Sequence, residues 1–105
     1  MNVGAALAQV EAWMQQYGRS AVALRCLGRI CLRARLWGKA RNYLEESQRL
    51  QADADTALAL GELAEAMGDA DEAAQRFRDA ALGLAERDAH PALARPRWFR
   101  REPSL

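Results

Sequence analysis

Three arginines, Arg25, Arg29 and Arg33, stand four residues apart in an otherwise apolar segment of the chain. In a helix this spacing puts all three on one face, because residues i and i+4 are neighbours one turn apart. Aligned guanidinium groups suit carboxylates and phosphates, to which each can donate two parallel hydrogen bonds. The first chemistry that the sequence indicates is therefore anion binding.

Support for catalysis is weak. The chain has one histidine, and it contains no Ser/His/Asp or Cys/His arrangement that spacing alone supports, no CxxC pair and no glycine-rich phosphate loop. The two cysteines, Cys26 and Cys31, are five residues apart on a predicted helix, about 7.5 Å along its axis, which does not suit a disulfide. We predict a non-enzymatic protein with no metal site and no cofactor.

Composition favours closely packed helices. The chain has 105 residues, of which 50% are hydrophobic but only 7% aromatic, and alanine is abundant. This balance predicts an all-α fold of one domain. The net charge of +1 gives no general attraction to nucleic acid. Residues 19–41 nevertheless carry seven cationic side chains and no acid, whereas residues 42–90 carry twelve acids and four arginines.

Apolar spacing and capping residues predict five helices. Their expected bounds are about 2–17, 21–35, 37–50, 56–67 and 70–87. No run approaches the roughly 18 apolar residues of a membrane span, and the pattern of a signal peptide is absent. We therefore expect any membrane attachment to come from segments outside this chain.

An internal repeat connects the helices. The offset from Gly28 to Gly61 is also the offset from Leu27 to Leu60, from Ala40 to Ala73 and from Leu44 to Phe77. A Leu-Gly pair followed by an alanine and then a large residue, at a period near 34, is the tetratricopeptide pattern. We predict a repeat domain over residues 1–88, stacked as a short right-handed solenoid. It comprises a half repeat (2–17), repeat one (21–50) and repeat two (55–87).

The tetratricopeptide pattern also assigns groove-facing positions. Counting Gly28 as the eighth place of its repeat puts Arg25, Arg29 and Arg33 in the concave groove, and the same count puts Glu62 and Glu65 on the adjacent helix. Two interpretations remain open. Either the arginines bind an acidic protein or peptide partner, or they form ion pairs with the two glutamates inside the domain.

The residues then resemble a named family. The segment from Leu27 to Ser47, above all the Leu-Trp-Gly-Lys-Ala-Arg string at 36–41, looks like the carboxy-terminal tetratricopeptide region of HemY proteins. The resemblance covers residues 7–84 and implies a bacterial inner-membrane protein with this domain on the cytoplasmic side. It further implies a scaffold or regulator of the late steps of haem biosynthesis, with the enzymes of those steps as partners. It carries over no catalytic residues.

Two other functions stay open beside this one. The domain is alternatively a peptide-binding adaptor unrelated to haem, or a haem or porphyrin carrier in which Cys26, Cys31 or His90 is the axial ligand. Residues 89–105 lie outside the resemblance and are predicted to be a flexible basic tail, in which four arginines surround Trp98 and Phe99. Such a tail suits an anionic membrane or nucleic acid, but solvation is the simpler interpretation and no nucleic-acid partner is expected.

Overall fold

A computed structural model describes residues 2–89, which form five α-helices and no strand. The helices are α1 (Val3–Tyr17), α2 (Ala21–Arg33), α3 (Trp37–Leu50), α4 (Ala54–Ala66) and α5 (Ala70–Ala89). The predicted all-α class and the five helices are confirmed for this part of the chain. Helix α5 extends past its predicted end at 87 and includes Ala89, the first residue of the predicted tail. The rest of that tail, residues 90–105 with His90, lies outside the described residues.

Side-chain caps set where most of the helices begin. Asn2 Oδ1 accepts a hydrogen bond from the Ala5 N–H at 3.2 Å, and Ser20 Oγ accepts one from the Ala23 N–H at 3.1 Å. Such caps satisfy backbone donors that have no partner within the helix. Helix α4 begins two residues earlier than predicted, because Asp53 caps it and accepts a hydrogen bond from the Asp55 N–H at 2.7 Å.

Helices α2 and α3 pack as one hairpin, and α4 and α5 pack as another. The turn between the two helices has the same geometry in both hairpins. The equivalent turn residues are separated by the same offset as Gly28 and Gly61. Arg35 (φ 61°) and Gly68 (φ 81°) are both left-handed. The following N–H groups, of Leu36 and Asp69, each donate to a carbonyl five residues back at 2.9 Å. This is the Schellman ending of a helix, in which a left-handed residue lets orphan carbonyls find donors.

Glycines mark the closest approach within each hairpin. A Cβ placed on Gly28 would lie 2.5 Å from Leu44 Cδ2, and one placed on Gly61 would lie 2.5 Å from Phe77 Cε1. Real Cβ atoms do not come so near a neighbouring carbon, so each position requires glycine at the present helix spacing. The prediction that small residues stand where the paired helices come closest is confirmed at these two glycines.

The core joins the two hairpins through α4. Leu44 of α3 and Leu60 and Leu63 of α4 are fully buried in one cluster, and Leu24 and Leu27 of α2 anchor a second cluster with Met14 of α1. Burying each of these leucines contributes about 1.5–3 kcal/mol to folding. Since α4 contacts α2, α3 and α5, it is buried on most sides.

Two polar side chains are buried with this core. Ser47 Oγ, near the end of α3, donates to the Ala21 carbonyl at the start of α2 at 2.7 Å, which also shows that the two helices run antiparallel. Thr56 is completely buried, and its Oγ1 has no hydrogen-bond partner among the described residues. No helix in residues 2–89 combines the length and apolar character needed to cross a bilayer.

Candidate protein-binding surface

The three arginines of α2 differ in their surroundings. Leu24, Leu27 and Cys31 bury the opposite side of the helix, which leaves Arg29 and Arg33 exposed to solvent. Arg25 is instead partly buried, with Nη1 3.3 Å from Asp53 Oδ1. The predicted row therefore divides into one arginine that links α2 to the start of α4 and two that face solvent.

The alternative of internal pairing is only partly realised, and with a different acid. Glu62 and Glu65 are exposed on α4, and neither forms an ion pair with an arginine within residues 2–89. The acid that pairs with an arginine of the row is Asp53, which caps α4, and not Glu62 or Glu65 as predicted. Asp53 lies between the two hairpins, within reach of Arg25, whereas Glu62 is exposed on α4 as Arg29 is on α2.

A shallow apolar valley runs between α1 and α2 beside the two exposed arginines. One half has a volume of about 300 Å³ and is formed by Gln9, Val10, Trp13, Val22, Ala23 and Cys26. The other half, about 360 Å³, contains Arg29 and Arg33 together with Val3, Ile30, Cys26 and Ala34. Cys26 lines both halves, so they adjoin at this residue, and the valley has an apolar end and a cationic end.

An exposed aromatic pair extends the apolar end. Trp13 is 47% exposed and Tyr17 is 64% exposed, and their ring centroids are 5.1 Å apart. Trp13 was not among the site residues predicted from the sequence, because it lies in the half repeat, outside both the Leu-Gly pattern and the row of arginines. Its residue type was the available signal, since large aromatic residues are enriched where proteins meet partners.

Other cations of the same segment take part in structural ion pairs. Arg19 donates to both carboxylate oxygens of Glu46, at 2.8 and 2.7 Å, and this contact raises the pKa of Arg19 and lowers that of Glu46. Arg41 donates to Glu72 of α5 and to Glu45 one turn away, each at 3.2 Å. The hydrogen bond to Glu72 is the main reason why the pKa of Arg41 is raised.

A polar contact also ties α1 to α3. Tyr43 Oη donates to Glu11 Oε1 at 3.3 Å, and burial together with this carboxylate raises the pKa of Tyr43. Arg29 and Arg33, which make no ion pair in the described part of the chain, are thus distinct from the arginines that hold helices together.

The cysteines also differ. Cys31 is fully buried among the leucines of the core, and this burial raises the pKa of its thiol. Cys26 is exposed in the valley. Among residues 2–89 no three His, Cys, Asp or Glu side chains converge to hold a metal ion.

Models of protein families, curated proteins and solved structures were each compared with the chain, and none matches it. The geometry of α1, α2 and α4 is therefore what bears on function. It offers an apolar valley between α1 and α2, two guanidinium groups beside it that make no ion pair within residues 2–89, and two exposed glutamates on α4.

Proposed function

We propose that residues 2–89 form a protein–protein interaction module in which Arg29 and Arg33 bind an acidic segment of a partner protein. One observation carries the proposal: two exposed guanidinium groups stand one turn apart, without ion pairs in the described residues, at the cationic end of an apolar valley. Two such groups can each donate a pair of hydrogen bonds to a carboxylate. Ion pairs exposed to water contribute little to affinity, so the adjacent apolar surface matters, because it can be buried by the partner.

The valley suggests how the bound segment is built. The cationic end is centred between Arg29 and Arg33, and the apolar end lies near residues 22–26, about seven residues and roughly 10 Å back along α2. An extended peptide covers that distance in about three residues. The segment that fits best therefore carries a carboxylate and, about three residues away, a bulky apolar side chain that packs on Trp13 and Val22.

The tetratricopeptide assignment is part of the proposal. It is supported by the equivalent turns at Arg35 and Gly68 and by the equivalent glycine contacts of Gly28 and Gly61, all at the offset of the sequence repeat. In this interpretation α1 is a half repeat, the two hairpins are repeats one and two of a right-handed solenoid, and the arginines face its concave groove.

The resemblance to HemY proteins extends the proposal to a biological role. On this basis the domain is a non-enzymatic scaffold for haem-biosynthesis enzymes, held at the bacterial inner membrane by segments outside this chain. The string at residues 36–41 that carries the resemblance has structural roles in this fold: Ala40 is buried in the core, Trp37 packs against it and Arg41 bridges to α5. The support for the scaffold role is therefore a resemblance to HemY proteins at residues that pack the fold.

A peptide titration tests the binding site. Acidic peptides with and without the apolar side chain are added to labelled protein, and chemical-shift changes are expected at Arg29, Arg33, Cys26 and Trp13. The Arg29→Ala/Arg33→Ala variant should lose most of the affinity. Lys39→Ala/Arg49→Ala is the matched control, because it removes the same charge from exposed positions of α3. Equal weakening of the two variants would show general charge attraction and contradict the proposed site.

Haem is tested separately. Cys26, an exposed thiol in an apolar valley, is the observation that favours a haem carrier. A Soret shift that is lost in Cys26→Ala would support that function. Recovery of ferrochelatase or another haem enzyme by the wild-type chain, and its loss with Arg29→Ala/Arg33→Ala, would support the scaffold; arginine-dependent partners unrelated to haem would indicate a general adaptor.

A further inference from the structure

Opposite charges stand side by side on α2 and α4. The two helices contact each other, and Arg29 and Glu62 hold equivalent positions in the sequence repeat. Each directly follows the glycine that faces its partner helix, so each lies about 100° around its helix from that glycine, on the same side. Arg33 extends the positive row along α2, and exposed Asp55 and Glu65 extend the negative row along α4.

The two rows do not neutralise each other. Within residues 2–89 the ion pairs involve other side chains, and none includes Arg29, Arg33, Glu62 or Glu65. Side chains at equivalent positions of the two helices point outward side by side, and within residues 2–89 no ion pair joins the two rows. One face therefore presents a positive strip beside a negative strip, both available to a partner.

We propose that this face binds a second copy of the chain in a two-fold dimer. A face with adjacent positive and negative strips is complementary to itself, because a two-fold axis between the strips lays each one on the opposite strip of the other copy. Because α2 and α4 are equivalent helices of the repeat, this axis runs along the strips, and α2 of one copy lies parallel on α4 of the other, twice. Arg29 comes opposite Glu62, and Arg33 lies toward Glu65.

Apolar residues on the same face add to the contact. Val22 is 56% exposed and Leu58 is 40% exposed. Two helices of 13 residues present a face of roughly 20 by 20 Å, about 400 Å² per copy. Stable dimers bury about 800 Å² per partner, so the expected dimer is weak, and its charge pairs make it sensitive to salt.

Sedimentation equilibrium of the full chain tests the dimer. At protein concentrations of hundreds of micromolar and about 50 mM salt, the mean mass should rise from 11.7 kDa toward twice that value, and it should fall back at about 500 mM salt. Arg29→Glu/Arg33→Glu makes both strips negative, and Glu62→Arg/Glu65→Arg makes both positive. Each variant alone should be monomeric, whereas an equimolar mixture should regain the dimer mass at low salt.

Controls separate this specific pairing from net charge and from misfolding. Lys39→Glu/Arg49→Glu reverses two exposed charges on α3 and should dimerise as the wild type does. If a double variant loses its helical circular dichroism, the single variants Arg29→Glu and Glu62→Arg replace it in the same mixing experiment. A wild type that stays monomeric at low salt, a mixture that stays monomeric, or loss of the dimer in the α3 control would each overturn the proposal.

The inference rests on the proposed role of the arginines as a binding surface, but the two can fail separately. The peptide titration uses dilute protein, where the weak dimer is dissociated. Peptide binding by a wild type that never dimerises would refute the dimer alone. Dimerisation with mixing rescue but no peptide response would refute the acidic-peptide site alone.

Discussion

Replacing Gly28 by alanine tests the helix contact on which the first hairpin depends. The added Cβ would lie 2.5 Å from both Cγ and Cδ2 of Leu44 and 3.3 Å from the Leu44 backbone nitrogen. Leu44 is completely buried, so its side chain cannot move into solvent, and the backbone nitrogen limits how far the helices can slide. The crossing must therefore open or Leu44 must adopt a poor rotamer.

The expected magnitude follows from two opposing effects. Overpacking a core by one methyl group costs about 1–3 kcal/mol. Alanine in a helix is better than glycine by up to about 1 kcal/mol. The matched control is Gly38→Ala, because Gly38 lies in α3 with no atom within 4 Å of an added Cβ, so this variant gains propensity without a clash. We expect Gly28→Ala to be less stable than Gly38→Ala by about 1–3 kcal/mol.

Urea unfolding followed by helical circular dichroism measures the difference in the free energy of unfolding. Thermal unfolding is a second measurement, because a change of 1 kcal/mol shifts the melting temperature of a domain this size by about 4–8 °C. Leu44→Ala should itself cost about 2–5 kcal/mol, but Gly28→Ala should then add little, because its main clash has been removed. Two glycine variants of equal stability, or full additivity with Leu44→Ala, would show that the hairpin does not pack as described.

The remaining predictions concern single positions. Arg35→Gly should stabilise the fold by about 0.5–1 kcal/mol, because Arg35 has φ 61°, and Gly68→Ala at the equivalent turn should destabilise it by about 1 kcal/mol; thermal melts measure both. Thr56→Val should raise stability by about 1 kcal/mol, since it removes a buried hydroxyl with no hydrogen bond in the described residues; an unchanged urea midpoint would show that this hydroxyl is satisfied. Arg19 lowers the pKa of Glu46, so the stability that this contact supplies is present above the unfolded pKa of about 4.3 and is lost as the pH falls through the lower folded value. The wild type should therefore exceed Glu46→Gln in stability at pH 7 and not near pH 2, and a gap independent of pH would contradict this assignment.

Helix number and packing positions could be predicted from the sequence because they leave periodic signals. Buried residues recur every three or four positions, and the Leu-Gly pair of the first hairpin returns at the same place in the second. The start of α4 was misplaced because Asp53 and Asp55 are equally good caps by type, and only the backbone decides between them. The burial of Thr56 was not predictable, since a residue on a helix packed from several sides gives no amphipathic signal.

Ion pairs between distant segments could not be predicted. Arg19 meets Glu46 and Arg41 meets Glu72, contacts that span 27 and 31 residues and depend on how hairpins are arranged in space. The i+4 rule finds neighbours on one helix only. The sequence therefore predicted the row of Arg25, Arg29 and Arg33 on α2, but it did not predict that Arg19 and Arg41 form ion pairs between helices.

The two hairpins distinguish positions that packing requires from positions that are exposed. Because both hairpins have the same helix contacts, a position that packing requires should hold a similar residue in each. Small or apolar residues recur at the buried positions, in the pairs Leu27 and Leu60, Gly28 and Gly61, Cys31 and Ala64, and Ala40 and Ala73. The row of arginines is matched instead by Leu58, Glu62 and Ala66, which are exposed. Packing therefore does not dictate what stands at these positions. The opposite charges of Arg29 and Glu62 therefore agree with the proposal that this face binds a partner.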